Sequence, residues 1–317
     1  MKDLQHVIPV MEHFSKHLDE ITEYLEVFRS LLHLCSSPIK LEKSSEGLFK
    51  LKELQEFFTV LGYMIICVNN DNLRFLLIDV IRHHLTRDGP VDAEYVKLNL
   101  CHLAMECSLL AQIVGEVLEL VSWNLYPCLL ELAFLITTTS NRCCYQMICV
   151  GTIDTLLTRM DPDYYLQLNP GADILQKENF TEKDEMYSFS TALNILWILL
   201  KSIDNKNDLS HTFPAPSLQS LRSLRHQLRK ETYQRNAHRR NDLLGVLILM
   251  LKVFPKMPLV PSGLVEDLAL LSVASEIGTE NSWAVNVTFE INQENLDFKK
   301  LLLISHCFTI KYRPIAE

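Results

Sequence analysis

The side chains able to do chemistry are few and poorly spaced for it. Cys101, His102 and Cys107 come nearest to a metal cluster. On a helix their offsets of one and six residues do not converge on the tetrahedral centre that zinc needs. His83 and His84 are adjacent, so at about 3.6 residues per turn they diverge by roughly 100°. Cys143 and Cys144 offer a redox pair, but only Arg142 stands close enough in sequence to lower a thiol pKa. No P-loop, GxGxxG, HExxH, GxSxG or kinase signature occurs. These groups read as packing residues. The expectation is a non-enzyme with no catalytic residue, no metal, no cofactor and no small-molecule substrate.

The charged residues are more informative. The formal net charge is −9, yet Arg222–Arg240 holds seven Lys/Arg against one Asp/Glu, so this segment carries +6 and the remainder −15. On a helix predicted over 218–240, Leu221, Leu224 and Leu228 form one stripe, and Arg222, Arg225 and Arg229 form the neighbouring one. With Arg235, Arg239 and Arg240 they are the candidate partner-binding residues. The chemistry would be docking of an acidic surface: a protein tail, a microtubule or nucleic acid. Only Tyr233 interleaves with the basic residues, which argues against stacking on single strands and makes nucleic acid an unexpected partner. The competing reading is a solvated helix whose arginines pair with the acidic remainder of the same chain.

The elements that must position these residues are helices. Glycines number nine in 317 residues and 48% of the chain is hydrophobic, enough to bury a large core as one elongated array or two compact domains. The stretch 126–160 sets the pattern. Leu129–Ile136 is apolar nearly all round, as in a helix buried on most sides. Thr137–Asn141 is expected to end it, because such side chains compete for backbone hydrogen bonds. A second helix follows over Arg142–Val150, and Gly151 is expected to turn with φ > 0. Ile153, Leu156, Leu157 and Met160 then recur at i, i+3, i+4, i+7, and Asp161-Pro162 closes the third helix.

The same grammar returns 112 residues later. Arg240–Val253 is apolar, Phe254–Lys256 breaks it, Met257–Ser262 leads to Gly263, and Val265 and Leu268 continue. A helix–helix–Gly–helix unit of roughly 40 residues is the armadillo/HEAT period. The predicted fold is therefore all-α, an armadillo/HEAT-like α-solenoid of stacked short helices, in which each unit buries its apolar faces on its neighbours.

Residues 1–34 are expected to carry an N-terminal amphipathic helix, with Pro9 in its first turn and Met11, Phe14, Leu18, Ile21, Leu25, Phe28 and Leu32 at 3-4 spacing. Tyr24, Val27, Leu31 and Leu34 widen the stripe, which favours packing on a core over a coiled-coil seam. Helical repeats follow over 35–160, with helices at 48–68, 73–85, 92–108 and 109–121. A loop insertion occupies 161–184. Repeats resume over 185–317, including a buried helix at 185–203 with Trp197 and a weaker helix at 296–310; Trp283–Glu290 reads as extended or loop. Apolar helices run nearly to the end without a polar cap, as expected of a fragment or short isoform. The nine cysteines are odd in number, mostly within apolar helices, and preceded by no signal peptide. That favours a reducing cytoplasmic setting and makes the sequons at Asn179 and Asn286 irrelevant. The longest strongly apolar run, Leu243–Leu251, is nine residues against the roughly 20 a bilayer needs, so no membrane association is expected.

Five stretches in order carry a family resemblance: IDTLLTRMDP (153–162), LNILWILL (193–200), RNDL (240–243), GLVEDLAL (263–270) and LDFKKLLL (296–303). Over residues 95–310 the chain resembles the cilia- and flagella-associated protein 69 family, with the 163–184 insertion departing from the pattern. The resemblance implies an armadillo-type, non-enzymatic component of the axonemal central apparatus of motile cilia and flagella. It also implies a role in flagellar assembly and motility, including in sperm, with other axonemal proteins as partners. A generic armadillo-type cytoplasmic adaptor for a peptide or helical partner is the alternative.

Overall fold

The structure is a computed structural model that describes residues 4–35, 47–86, 100–169, 180–205, 213–254, 257–265 and 267. Every regular element among these residues is a helix. In chain order they are α1 (Leu4–Lys16), α2 (Leu18–Glu23), α3 (Leu25–Cys35), α4 (Gly47–Cys67), α5 (Asp71–Leu85), α6 (100–107), α7 (Leu110–Leu120), α8 (Tyr126–Thr139), α9 (Asn141–Cys149), α10 (Thr152–Thr158), α11 (Pro162–Leu168), α12 (Glu182–Asp204), α13 (Leu218–Tyr233), α14 (Ala237–Val253) and α15 (Leu259–Ser262). They pack as two units, Met1–Val150 and Gly151–Glu317. The division falls inside the 126–160 stretch, between α9 and α10. The expectations for 36–46, 87–99, 170–179, 206–212, 283–290 and 296–310 lie outside the described residues.

In the first unit α7 lies against α4, α8 and α9, and α5 bridges α4, α8 and α3. Phe57, Leu61, Leu77, Val114, Leu118, Leu129, Leu132 and Ile136 are all buried. Polar contacts fix the joints. The Asn70 side chain caps α5 by accepting from Leu73 N–H at 3.2 Å. Arg74 donates to the Ile65 carbonyl in the last turn of α4 at 3.1 Å, satisfying one of that helix's orphan acceptors.

The N-terminal segment is not the single helix expected. It breaks at His17 (φ −126, ψ 68) and at Tyr24 (φ −108, ψ 38). The Phe14 and Phe28 ring centroids are 5.2 Å apart, whereas 14 residues of straight helix would separate them by about 21 Å. The segment therefore folds back on itself. A strict 3-4 stripe drifts around a 3.6-residue helix by about 20° per heptad, and around the two breaks Leu18, a member of the stripe, is left exposed. Met11, Phe14, Ile21, Phe28 and Leu32 are buried, and α1 packs on α4. Tyr24 and Val27, read as widening the stripe, are exposed. Pro9 lies in the interior of α1 rather than its first turn, where it removes one backbone hydrogen bond.

The threonine run also behaves differently from expectation. Thr137, Thr138 and Thr139 stay helical, their hydroxyls donating to the Phe134 and Leu135 carbonyls at 2.6–3.0 Å. Ser140 ends α8 and caps α9. The left-handed turn expected at Gly151 is present, with φ 83, and Gly263, which aligns with it in sequence, has φ 76. Each follows a longer helix and a shorter one, α8–α9 and α14–α15, so the two copies share their helix order and the left-handed glycine.

Within the second unit, α12 packs on α14 and α10. Phe189, Leu193, Leu196 and Leu200 are buried on one face and Ile195 and Leu199 on the other. By length and composition α12 could cross a membrane, which the sequence pattern did not suggest because Asn194 interrupts its apolar run. Its most apolar window is 56% buried within the protein, as in a core helix. Thr181 and Asp184 form a capping box at its start, with Asp184 N–H donating to Thr181 Oγ1 at 3.2 Å. The 161–184 region is not wholly a loop, because α11 occupies Pro162–Leu168. Asp161-Pro162 opens this helix: Asp161 accepts from Asp163 and Tyr164 N–H, and Pro162 holds the first position.

Trp197 is only half-buried, with the Lys201 ammonium 5.2 Å from its ring centroid. Leu196→Ala should therefore cost about 2–5 kcal/mol, and Trp197→Ala only about 1.5–2.5, roughly half the core value for tryptophan. Urea denaturation of both variants checks this ordering; an equal or reversed pair would contradict the burial pattern of α12.

Candidate interaction surface: the basic helices α13 and α14

The predicted basic helix is two helices. α13 ends at Tyr233, Arg235 takes φ 58, and Asn236 caps α14 by accepting from Arg239 N–H. Arg235 occupies the left-handed region that costs an L-residue roughly 1–2 kcal/mol. The turn separates Arg222, Arg225 and Arg229 on α13 from Arg239 and Arg240 on α14.

α13 is also the hub of its unit, in contact with α10, α11, α14 and α15. Leu221, Leu224 and Leu228 are buried along it, and so are Ser220, Ser223, Gln227 and Glu231. Its first turn is held from α10. Asp154 Oδ1 accepts from Ser217 N–H at 2.8 Å and from the Ser220 hydroxyl, while Ser217 Oγ accepts from Ser220 N–H. One acid thus completes the cap that the serine begins.

The middle of α13 is held by Asp267. Arg225 donates to it through Nε at 2.7 Å and Nη2 at 3.3 Å, and Arg229 through Nε at 2.7 Å and Nη2 at 2.6 Å. Two forks close on one buried carboxylate, the strongest pairing geometry for arginine. Burial alone would push the Asp267 carboxyl up, but the Arg225 and Arg229 hydrogen bonds outweigh it and the pKa falls below the ordinary value. Arg225 also donates to the Ser262 carbonyl at 3.2 Å. Its guanidinium lies over Gly263, where a β-carbon would overlap it. Gly263 therefore meets two demands, a left-handed backbone and room for Arg225. Gly151 meets only the first, since nothing stands within 4 Å of an added β-carbon.

The far end of α13 is tied to α11 and α12. Lys230 Nζ donates to Asp161 Oδ2 at 3.0 Å and Glu185 Oε1 at 3.3 Å. Burial pulls the Lys230 pKa down, and the two acids raise it above the ordinary lysine value. His226 stacks on Tyr164 at 4.1 Å. Arg239 reaches back from α14 to Glu231 at 3.5 Å and covers the Phe189 ring at 4.7 Å. Arg240 is half-buried, and that burial lowers its pKa.

Of the six candidate arginines, Arg225, Arg229 and Arg239 thus hold acids of their own chain. Arg222 and Arg235 are exposed, and Arg229 keeps 60% of its side chain open despite its pairing. Tyr233, 90% exposed, stands between them at the α13–α14 turn. Sequence reasoning did not identify Asp154, Asp161, Glu185 or Asp267 as partners. Asp161 had a local signal, an Asp-Pro that can open a helix as well as close one. The other three pair over 38 residues or more in sequence.

Most residues first weighed for chemistry sit in packing positions, while Cys107 is exposed. His84 is buried edge-on to Phe57, and the His102 ring contacts the Leu85 carbonyl at 3.2 Å. Burial pushes the Cys143 thiol up to about 12, which makes it a poor nucleophile. The Cys144 thiol donates to the Thr137 carbonyl.

A family model described as the ARM repeat of cilia- and flagella-associated protein 69 matches residues 1–311. The match runs through 163–184, so the segment that departs from the expected pattern lies inside the matched span. No curated protein and no solved structure matches the chain.

The glycine and aspartate positions can be tested directly. Gly151→Ala should cost about 1–2 kcal/mol, the left-handed penalty alone, whereas Gly263→Ala should cost more because Arg225 must also move. Measured in an Arg225→Ala background, the excess at Gly263 should vanish; an excess that persists would remove the guanidinium from the explanation. Asp267→Asn should cost about 2–3 kcal/mol at neutral pH, less than breaking a fully buried pair because both guanidinia reach solvent. Because the folded pKa is lowered, the Asp267 contribution is fully present above the unfolded value near 3.9 and fades as pH falls through the folded one. Acid unfolding below about pH 4 should therefore be less steep in the variant; identical slopes would contradict the clamp.

Proposed function

The chain belongs to the cilia- and flagella-associated protein 69 family of ARM-repeat proteins, and from that premise we propose that it is a non-enzymatic scaffold of the axonemal central apparatus. It would support the assembly and motility of cilia and flagella, sperm flagella included, by binding neighbouring axonemal proteins. The observation that carries this reading is the family match over 1–311 of 317 residues. The packing roles of His84, Cys143 and Cys144 favour a structural role, and ARM repeats generally act through protein–protein contact.

The binding surface we propose is the exposed part of the basic region: Arg222, Arg229, Tyr233 and Arg235, directed at an acidic protein surface. Arg225, Arg239 and Arg240 complete the candidate set, with Arg225 and Arg239 engaged in holding the fold. Arg222 and Arg235 gain from an acidic partner without breaking the Asp267 clamp, and Arg229 offers only the part that its pairing leaves open.

The test is to express the tagged full chain in multiciliated cells and locate it at the axoneme. Signal along the central pair supports the proposal, and diffuse cytosol would return the chain to the adaptor reading. Arg222→Glu/Arg235→Glu, which spares the Asp267 clamp, should lower recovery of axonemal partners at least tenfold and flatten its salt dependence. Unchanged recovery would dismiss this surface as the contact.

A further inference from the structure

We propose that His13, His17 and Glu20 bind one divalent transition-metal ion, with zinc the best match, across the break between α1 and α2. Each of the three offers one ligand atom, and these atoms lie within 4.8 Å of one another. His13 Nε2 and Glu20 Oε2 are 2.8 Å apart, and the His13 and His17 rings stack at 4.3 Å. Donor atoms in a tetrahedral zinc site, with bonds of about 2.0–2.2 Å, stand roughly 3.3 Å from each other. His13 and His17 are exposed, so rotation of their rings and of the Glu20 side chain closes the remaining gap without repacking the core.

Two further features favour a site over a chance cluster. His17 Nδ1 lies 3.0 Å from the His13 carbonyl. A carbonyl only accepts, so Nδ1 is the donor, and in the neutral ring Nε2 is then the nitrogen with a lone pair for a metal. This is the outer hydrogen bond that fixes the tautomer of metal-binding histidines. His13 lies on α1 and Glu20 on α2, and the non-helical backbone at His17 between them leaves all three side chains within reach of one another. The contact explains little as an ion pair, because His13 and Glu20 side chains are 52% and 37% exposed and such pairs contribute almost nothing.

Two imidazoles and a carboxylate suit zinc, copper(II) or nickel(II) rather than magnesium or calcium. The ion replaces the hydrogen between His13 Nε2 and Glu20 Oε2, that proton passes to solvent, and water takes the open fourth position. Ligands on both sides of the break would fix the angle between α1 and α2, at the first of the two breaks through which Phe14 meets Phe28. Sequence reasoning passed over this cluster because His13 and His17 fall on the polar side of a helix judged only by its apolar stripe.

The experiment is calorimetric titration of zinc chloride into the reduced, metal-stripped full chain, with cobalt(II) spectroscopy in parallel. The expected result is one tight ion per chain, lost in His13→Ala/His17→Ala and weakened at least tenfold in His17→Ala and in Glu20→Gln. Cobalt should show ligand-field bands without thiolate charge transfer. Equal affinity in the double variant would overturn the proposal, and so would thiolate charge transfer, which would assign the ion to cysteines such as the exposed Cys107 and Cys149. Helical circular dichroism reports folding of the alanine variants. Should they fail to fold, Glu20→Gln decides alone: a tenfold weaker ion upholds the site, and unchanged affinity overturns it.

Discussion

A basic helix at the centre of the second unit must be neutralised where it lies, and that unit is arranged around the requirement. α13 touches α10, α11, α14 and α15, and most of these contacts carry an acid–base or capping bond as well as apolar packing. Asp154 completes its N-terminal cap, Asp267 joins Arg225 to Arg229, and Asp161 and Glu185 share Lys230. None of these pairs would add much in open solvent. Their importance is the cost of losing one, since Asp161 and Asp267 are buried and an unpaired buried carboxylate is strongly unfavourable. The charges therefore specify where α13 sits, while Leu221, Leu224 and Leu228 supply the apolar burial that holds it there.

The helix content of the chain was legible because it rests on local periodicity. The apolar faces of α4, α5, α7 and α12 appear where 3.6-residue spacing places them, and the left-handed turn at Gly151 was readable because few other residues take that backbone. The errors share one physical cause, competition between local preference and tertiary packing. A continuous apolar stripe over 9–34 reads as one helix until Phe14 must meet Phe28. Leu218–Arg240 reads as one helix because Arg235 carries no turn signal, yet it is the one described non-glycine residue with positive φ. Thr137–Thr139 look like a terminator but stay helical by bonding back to the preceding turn.

The candidate surface was legible in composition and not in role. A +6 segment in an otherwise acidic chain announces electrostatics without saying whether its partner is internal. The answer depends on long-range acids, and no pattern in the sequence links Arg225 and Arg229 to Asp267. Gly263 shows the same limit. Its turn was foreseeable, but its second task, giving room to the Arg225 guanidinium, exists only once α13 and α15 are packed together. The two copies of the helix–helix–Gly unit therefore share their helix order and the left-handed glycine and differ in what the glycine supports, as expected where a repeat keeps its geometry while its side chains specialise.

This division of labour bears on where a partner can engage. Along the middle of α13, Arg225 is fully committed to Asp267 and Ser262, so an acidic partner there would compete with the fold itself. The α13–α14 turn imposes no such competition. Arg235 is exposed and held in a strained backbone, Tyr233 beside it is almost fully open, and Arg222 and the outer part of Arg229 lie on the exposed side of α13. An exposed tyrosine flanked by arginines supplies apolar area together with charge, the composition that interface hot spots favour. Strain at Arg235 is tolerable only if packing on both sides enforces it. The clamps that immobilise α13 therefore also pre-organise the turn, and a partner docking there would not have to order it.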